Sequence, residues 1–175
     1  MRCPTVGRVS GPYRTLVLLR HAKSAYPDGV ADHDRPLAPR GIREAGLAGE
    51  WLHANLPAID LVLCSSATRA RLTLLRSGVD APARYVERLY GAGPETVLDE
   101  INAVADDVMT LLVVGHEPAT SAVAVGLSGD DTNTAALAAV STKFPTSGVA
   151  VLRVADRWKD LALGGAALVN FHVPR

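Results

Sequence analysis

The sequence predicts an α/β fold: a three-layer α/β/α sandwich around a mainly parallel central sheet. Three observations carry this. Short uninterrupted apolar runs, Leu16-Val17-Leu18-Leu19, Leu61-Val62-Leu63 and Leu111-Leu112-Val113-Val114, have the length and composition of strands buried on both faces. Each is followed by a segment of helical spacing, and that β-α-β-α order is the one a parallel sheet requires. The chain has 175 residues, 48% of them apolar, enough to bury one core. A single domain over residues 14–175 is expected, preceded at 1–13 by a loose N-terminal tail containing Pro4, Gly7, Gly11 and Pro12.

The first strand is expected over Tyr13 to Leu19, after Gly11 and Pro12, and Ala22 to Arg35 reads as a polar loop with Pro27, Gly29 and three aspartates. A helix should start near Pro39 and run to about Asn55, with Ile42, Ala45, Ala48, Trp51 and Leu52 as its apolar stripe and Pro57 as its stop. Asp60 to Cys64 is the second strand. A helix comes next from Ala67 to Arg76, with Ser65 or Ser66 as N-cap and Arg69 in its first turn. Ala83 to Val86 is a short strand, and Pro94 opens a helix reaching about Val104. Thr110 to Gly115 is the next strand, and Pro118 fits the opening of a helix to about Gly126. Gly129 to Thr146 reads as a loop or flap, and Gly148 to Val154 and Ala166 to Val173 as closing strands.

The ends of the parallel strands carry the chemistry. The first ends on Arg20-His21, the second runs into Ser65-Ser66-Ala67-Thr68-Arg69, and the third runs straight into His116. In open α/β sheets the carboxyl ends of the strands are where ligands bind. Two arginines and two histidines at one such edge make a local cationic pocket suited to an oxyanion. A phosphoryl group carries roughly two negative charges at neutral pH, and its transfer needs a nucleophile and a charge clamp. A neutral imidazole offers a lone pair for attack, and guanidinium forks match the phosphoryl oxygens.

These residues resemble a known family. Leu19-Arg20-His21-Ala22-Lys23-Ser24 is similar to the Arg-His-Gly signature of the histidine phosphatase superfamily, which includes phosphoglycerate mutases. Ser65-Ser66-x-x-Arg69-Ala70-x-x-Thr73 resembles its second arginine motif, and Val114-Gly115-His116-Glu117 its second histidine motif. Asp32-x-x-Arg35-Pro36-Leu37-x-x-x-Gly41 and the short chain point to the SixA-type phosphohistidine phosphatases. The sequence departs from the family at Ala22, usually glycine, and at Leu72, often glutamine and read here as lying on the buried side of its helix.

The resemblance implies a phosphoglycerate mutase-like fold and a metal-independent phosphatase. His21 would be the nucleophile, forming a phosphohistidine. Arg20 and Arg69 would hold the phosphoryl oxygens, and His116, protonated beside the dianion, would be a further donor. Asp32 and Arg35 are candidates for substrate binding. Val86-Glu87-Arg88-Leu89-Tyr90-Gly91 resembles the segment carrying the acid of the mutases, which makes Glu87 a candidate proton donor, with Glu117 as its rival. Lys23 and Ser24 either line the pocket or face solvent, whereas His33, His53 and His172 read as surface or structural. An alkyl oxygen leaving group needs a proton, whereas the imidazole of a phosphohistidine is basic enough to carry one. That reasoning and the lack of an inserted capping domain favour a phosphohistidine on a partner protein. The alternatives are a broad phosphomonoesterase or a phosphatase for a small phosphomonoester metabolite, or a phosphate-binding module without turnover.

Other classes fit poorly. Lys+Arg and Asp+Glu number 18 each, so no global field recruits nucleic acid or an anionic membrane. No apolar stretch approaches the ~20 residues of a membrane span. Cys3 and Cys64 are far apart, and Cys64 in an apolar strand reads as a buried thiol, which suits a cytoplasmic location. No short His-x-x-x-His or Cys-x-x-Cys spacing marks a metal site, and Gly91-Ala92-Gly93 lacks the third glycine of a dinucleotide loop. No cofactor is expected.

Overall fold

The structure is a computed structural model that describes residues 12–175, so the expected N-terminal tail lies, apart from Pro12 and Tyr13, outside the described residues. The order is β1 (Arg14–Arg20), α1 (Pro39–Asn55), β2 (Leu61–Ser65), α2 (Thr68–Ser77), β3 (Ala83–Val86), α3 (Pro94–Asn102), β4 (Thr110–Gly115), α4 (Ala119–Leu127), α5 (Thr134–Thr142), β5 (Val149–Val154) and β6 (Ala166–His172). The strands form one sheet in the order β3-β2-β4-β1-β5-β6. The first four are parallel, and β5 runs antiparallel to both its neighbours.

Successive strand residues point to opposite faces, and the two apolar layers obey that alternation. Val17, Leu19, Val62, Cys64, Leu112 and Val114 pack under α1 and α2 through Ala48, Leu52, Ala70 and Leu74. Leu16, Leu18, Leu61, Leu63, Leu111 and Val113 pack under α3, α4 and α5 through Val97, Ile101, Val123, Leu127 and Val140. The result is the expected three-layer sandwich. Neighbouring β1 and β4 therefore send their succeeding helices to opposite faces, which opens a crevice at their carboxyl ends.

Three local expectations change. The inward stripe of α1 is Gly41, Glu44, Ala45, Ala48, Gly49 and Leu52, while Ile42 is 39% exposed and Trp51 only half-buried. The glycines belong to the stripe because a Cβ on Gly49 would collide with the Ser77 carbonyl of α2, and one on Gly41 with the Lys23 carbonyl. Neither Ser65 nor Ser66 is the N-cap of α2: Ala67 takes that position without a side-chain bond, and both serine hydroxyls serve the site. Finally, Gly129 to Thr146 is not all loop, for it contains α5, capped by Asn133, whose side chain accepts from the Ala136 amide at 2.9 Å. The helix escaped a periodicity reading because its alanines give little contrast, and Val140 is its one fully buried residue. Among the described residues no helix is long and apolar enough to cross a membrane.

Candidate active site

Strand register brings the site together. Arg20 pairs with Gly115 across β1 and β4, and Cys64 with Val114 across β2 and β4, so the three strands end level with one another. Arg20-His21, Ser65 and His116 thus emerge at one edge. Arg20, His21, Asp32, Arg35, Arg69 and His116 line one cavity of about 430 Å³, joined by Lys23, Ser24, Tyr26, Tyr90, Glu117 and Thr146.

His21 is buried, and its Nδ1 lies 2.8 Å from the Ala22 carbonyl oxygen. A carbonyl only accepts, so Nδ1 carries the proton and Nε2 keeps the lone pair. Burial lowers the His21 pKa to about 3, reinforced by His116, Arg69 and Arg20. The imidazole is therefore neutral at pH 7. Its ring centroid stands 5.0 Å from that of His116. Burial, then the Arg69 guanidinium, lowers His116 to about 4, so its own surroundings keep it neutral until a further negative charge arrives. Its Nε2 lies 2.8 Å from Ser65 Oγ, which also accepts from the Ala67 amide.

The two signature arginines are braced from different elements. Arg20 donates from one terminal nitrogen to the Phe144 carbonyl at 2.7 Å, while its backbone amide bonds Gly148. Ser147, fully buried with φ of 63°, turns its amide onto the carbonyls of both Arg20 and His21. Arg69 is directed by Asp32, donating to its carbonyl at 2.7 Å and to its Oδ2 at 3.2 Å. Thr73 ties the motifs together: its hydroxyl donates to the Arg69 carbonyl at 2.6 Å and accepts the Ala22 amide at 2.8 Å. Ala22 itself is buried against Leu37 and Ala45, with the half-buried Leu72 beside them.

Asp32 is the hub of the opposite wall. Its Oδ1 accepts from Nε and a terminal nitrogen of Arg35, both at 3.0 Å, and its Oδ2 accepts the Tyr90 hydroxyl at 2.7 Å as well as Arg69. The Tyr90 bond and these guanidinium groups hold Asp32 at about 2. Asp32 and Arg35 thus pair with each other and line the cavity.

The two acid candidates sit differently. Glu87 is 76% exposed at its side chain and lies outside the cavity lining, with an oxygen 4.0 Å from His33 Nε2. Glu117 lines the cavity, but its oxygens accept from the amide and hydroxyl of Ser121 at 2.8 and 2.6 Å. His33, read from sequence as surface or structural, shares a 3.0 Å hydrogen bond with Ser66 Oγ and meets the edge of the Tyr90 ring. His172 stacks on Trp51, which fits a structural role. Sequence reasoning did not single out Tyr26, Tyr90, Thr146 or Ser147. Tyrosines in loops between strand and helix were the available signal for the first two.

A parallel sheet whose strand ends present two guanidiniums beside a buried neutral imidazole is an α/β site with the charge clamp and nucleophile that phosphoryl transfer requires. Comparison with known proteins agrees. The family model described as histidine phosphatase superfamily (branch 1) matches residues 16–91. An uncharacterized protein of Mycobacterium tuberculosis is 71% identical over 158 residues, covering 90% of this chain and 100% of that one. The structure named "Putative Phosphohistidine Phosphatase SixA" from Nakamurella multipartitia is 41% identical with a TM-score of 0.86, covering 94% of this chain and 98% of that one. A structure of the protein histidine phosphatase SixA complexed with tungstate shares the fold, with 23% identity, a TM-score of 0.73, and coverage of 91% and 97%. The chain belongs to the histidine phosphatase superfamily, in its SixA-type branch. It is accordingly a phosphatase, a hydrolase of a family whose chemistry proceeds without a metal ion.

Proposed function

We propose that this phosphatase removes the phosphoryl group from a phosphohistidine displayed on a partner protein, through a covalent phospho-His21 intermediate. The observation that carries the reading is that, among the described residues lining the cavity, both carboxyls that could give a proton to a departing alkoxide are committed to hydrogen bonds within the protein. Asp32 is held at about 2 by its Tyr90, Arg69 and Arg35 partners, and both oxygens of Glu117 are taken by Ser121. Glu87 stands outside the lining. An oxygen ester needs that proton, whereas a phosphohistidine carries one on its distal ring nitrogen near neutral pH. The 41% identity to the Nakamurella multipartitia protein, itself named for phosphohistidine, supports the same substrate class.

In the first step the Nε2 lone pair of His21 attacks phosphorus as the substrate's P–N bond breaks. Its electron pair returns to an imidazole already protonated on its other nitrogen, which leaves neutral. Arg20 and Arg69 face the equatorial oxygens and take up charge that spreads onto them. The dianion raises the proton affinity of the adjacent His116, which then donates to an oxygen. In the second step water attacks the phosphorus, the P–Nε2 bond breaks, and its electron pair restores neutral His21. The water's proton leaves with the phosphate.

The test is phosphate release from a phosphohistidine-bearing carrier protein and from a phosphoserine peptide, side by side and without added metal. Release from the first is expected to be much faster than from the second. Equal or faster release from the peptide overturns the substrate assignment in favour of a phosphomonoesterase, and no release from either overturns turnover on both classes.

A further inference from the structure

Tyr26 is a large aromatic residue that is 71% exposed, yet it lines the cavity that holds His21, Arg20 and Arg69. Exposed tyrosines on polar loops ordinarily swing freely, but this ring is backed. The Arg35 guanidinium lies 4.1 Å from its centroid, and the Lys23 ammonium 5.5 Å. Arg35 has no freedom of its own. Besides its two bonds to Asp32, it donates to Ser24 Oγ at 2.6 Å and to the Ala25 carbonyl at 3.3 Å. The backbone on either side of Tyr26 is also fixed, because the Ala25 amide bonds the Pro36 carbonyl at 2.9 Å and Pro27 is the next residue. The result is an aromatic ring held against a cation, with most of its surface open to solvent at the cavity that holds the phosphoryl site.

We infer that Tyr26 is a specificity-determining residue whose ring packs against the leaving group of the substrate and favours flat aromatic rings over alkyl chains. Phosphorus held between the arginines and His21 must direct its departing group away from Nε2, because nucleophile and leaving group lie in line. That direction leads out of the cavity, whose solvent-exposed lining includes Tyr26. A planar imidazole or phenyl ring can lie on or against the tyrosine, whereas the single methylene of a phosphoserine presents little surface to it. The preference for imidazole rests on the proposed function, but the preference for a flat ring does not.

The experiment compares kcat/KM for phosphoimidazole and p-nitrophenyl phosphate with kcat/KM for phosphoserine, in the wild-type protein and in Tyr26→Phe, Tyr26→Leu and Tyr26→Ala. The ratio of each flat-ring substrate to phosphoserine should fall about tenfold in the Leu and Ala variants, and stay within about twofold of wild type in the Phe variant. The leucine variant separates ring shape from bulk. Ratios unchanged in the Leu and Ala variants overturn the role of Tyr26. So does a Phe variant that behaves like Ala, and so does a wild-type protein inactive on both flat-ring substrates. A wild-type protein active on p-nitrophenyl phosphate but not on a phosphohistidine carrier overturns the proposed function instead, and the p-nitrophenyl ratio still decides Tyr26.

Discussion

His21 Nδ1 donates to the carbonyl oxygen of the very next residue, Ala22, at 2.8 Å. That one bond fixes the tautomer and aims Nε2 as the free nitrogen. His21→Asn should keep the fold and lose turnover by at least about 10³-fold, since an amide cannot form the covalent intermediate. Trapping the wild-type intermediate with labelled substrate should place phosphate on Nε2 of His21, which phosphorus NMR distinguishes from Nδ1. Label on Nδ1, or an Asn variant with substantial activity, would remove the assignment.

The same burial that keeps these imidazoles neutral makes stability depend on pH. In the folded protein His21 titrates at about 3 and His116 at about 4, against about 6.5 in the unfolded chain. Between those limits the unfolded state binds more protons, so stability falls as pH is lowered through 6.5. Denaturant titrations at pH 7.5 and pH 5 should differ by about 2 kcal/mol for each of the two rings. The depressed carboxyl of Asp32 adds nothing over this range, because its loss begins only near the unfolded value of about 4. Replacing either histidine with Asn should remove its share of the slope. An equal slope in both variants and the wild type would mean the rings are not the source.

Much of this was legible from the chain, and the reason is geometric. A run such as Leu16 to Leu19, buried on both faces, has few other structures open to it, and in a parallel sheet the residues just after such a run arrive at the ligand edge. Arg20, His21, Arg69 and His116 could therefore be placed together from their positions at the strand ends. The features that stayed hidden depend on contacts between elements distant in sequence. Glycine as an inward residue of α1 makes sense only once the Ser77 carbonyl of α2 is in place. The hydrogen bond from Tyr90 to Asp32 spans 58 residues, and no local pattern announces it. The alanines of α5 give too little contrast between its faces to mark a helix in the sequence.

Thr73 offers a test of how the two signature motifs hold each other. Thr73→Val keeps the shape but strands the Ala22 amide in the interior and frees the Arg69 carbonyl. A buried donor left without a partner costs about 1–3 kcal/mol. The fall should appear in chemical denaturation, together with a reduced kcat as the His21–Ala22 turn loosens. Thr73→Ser, which keeps the hydroxyl, should recover most of both. If Val and Ser behaved alike, the link would be packing rather than hydrogen bonding.

Ser147 holds the other side of that turn from a left-handed backbone, with φ of 63°. Its amide meets the carbonyls of Arg20 and His21 at 3.1 and 3.3 Å, so the turn is set by main chain rather than by a side chain. Ser147→Gly should be tolerated, with stability within about 1 kcal/mol of wild type, because glycine adopts this conformation freely but gains entropy when unfolded. Ser147→Val should cost more than about 1–2 kcal/mol, since a β-branched side chain resists positive φ and has no room in a fully buried position. The functional consequence passes through Arg20, whose amide and guanidinium bond the same segment at Gly148 and Phe144. Binding of inorganic phosphate, measured by calorimetry on the folded variants, should weaken in Val and hold in Gly. Equal phosphate affinity in the two would show that Arg20 keeps its position without this bracket.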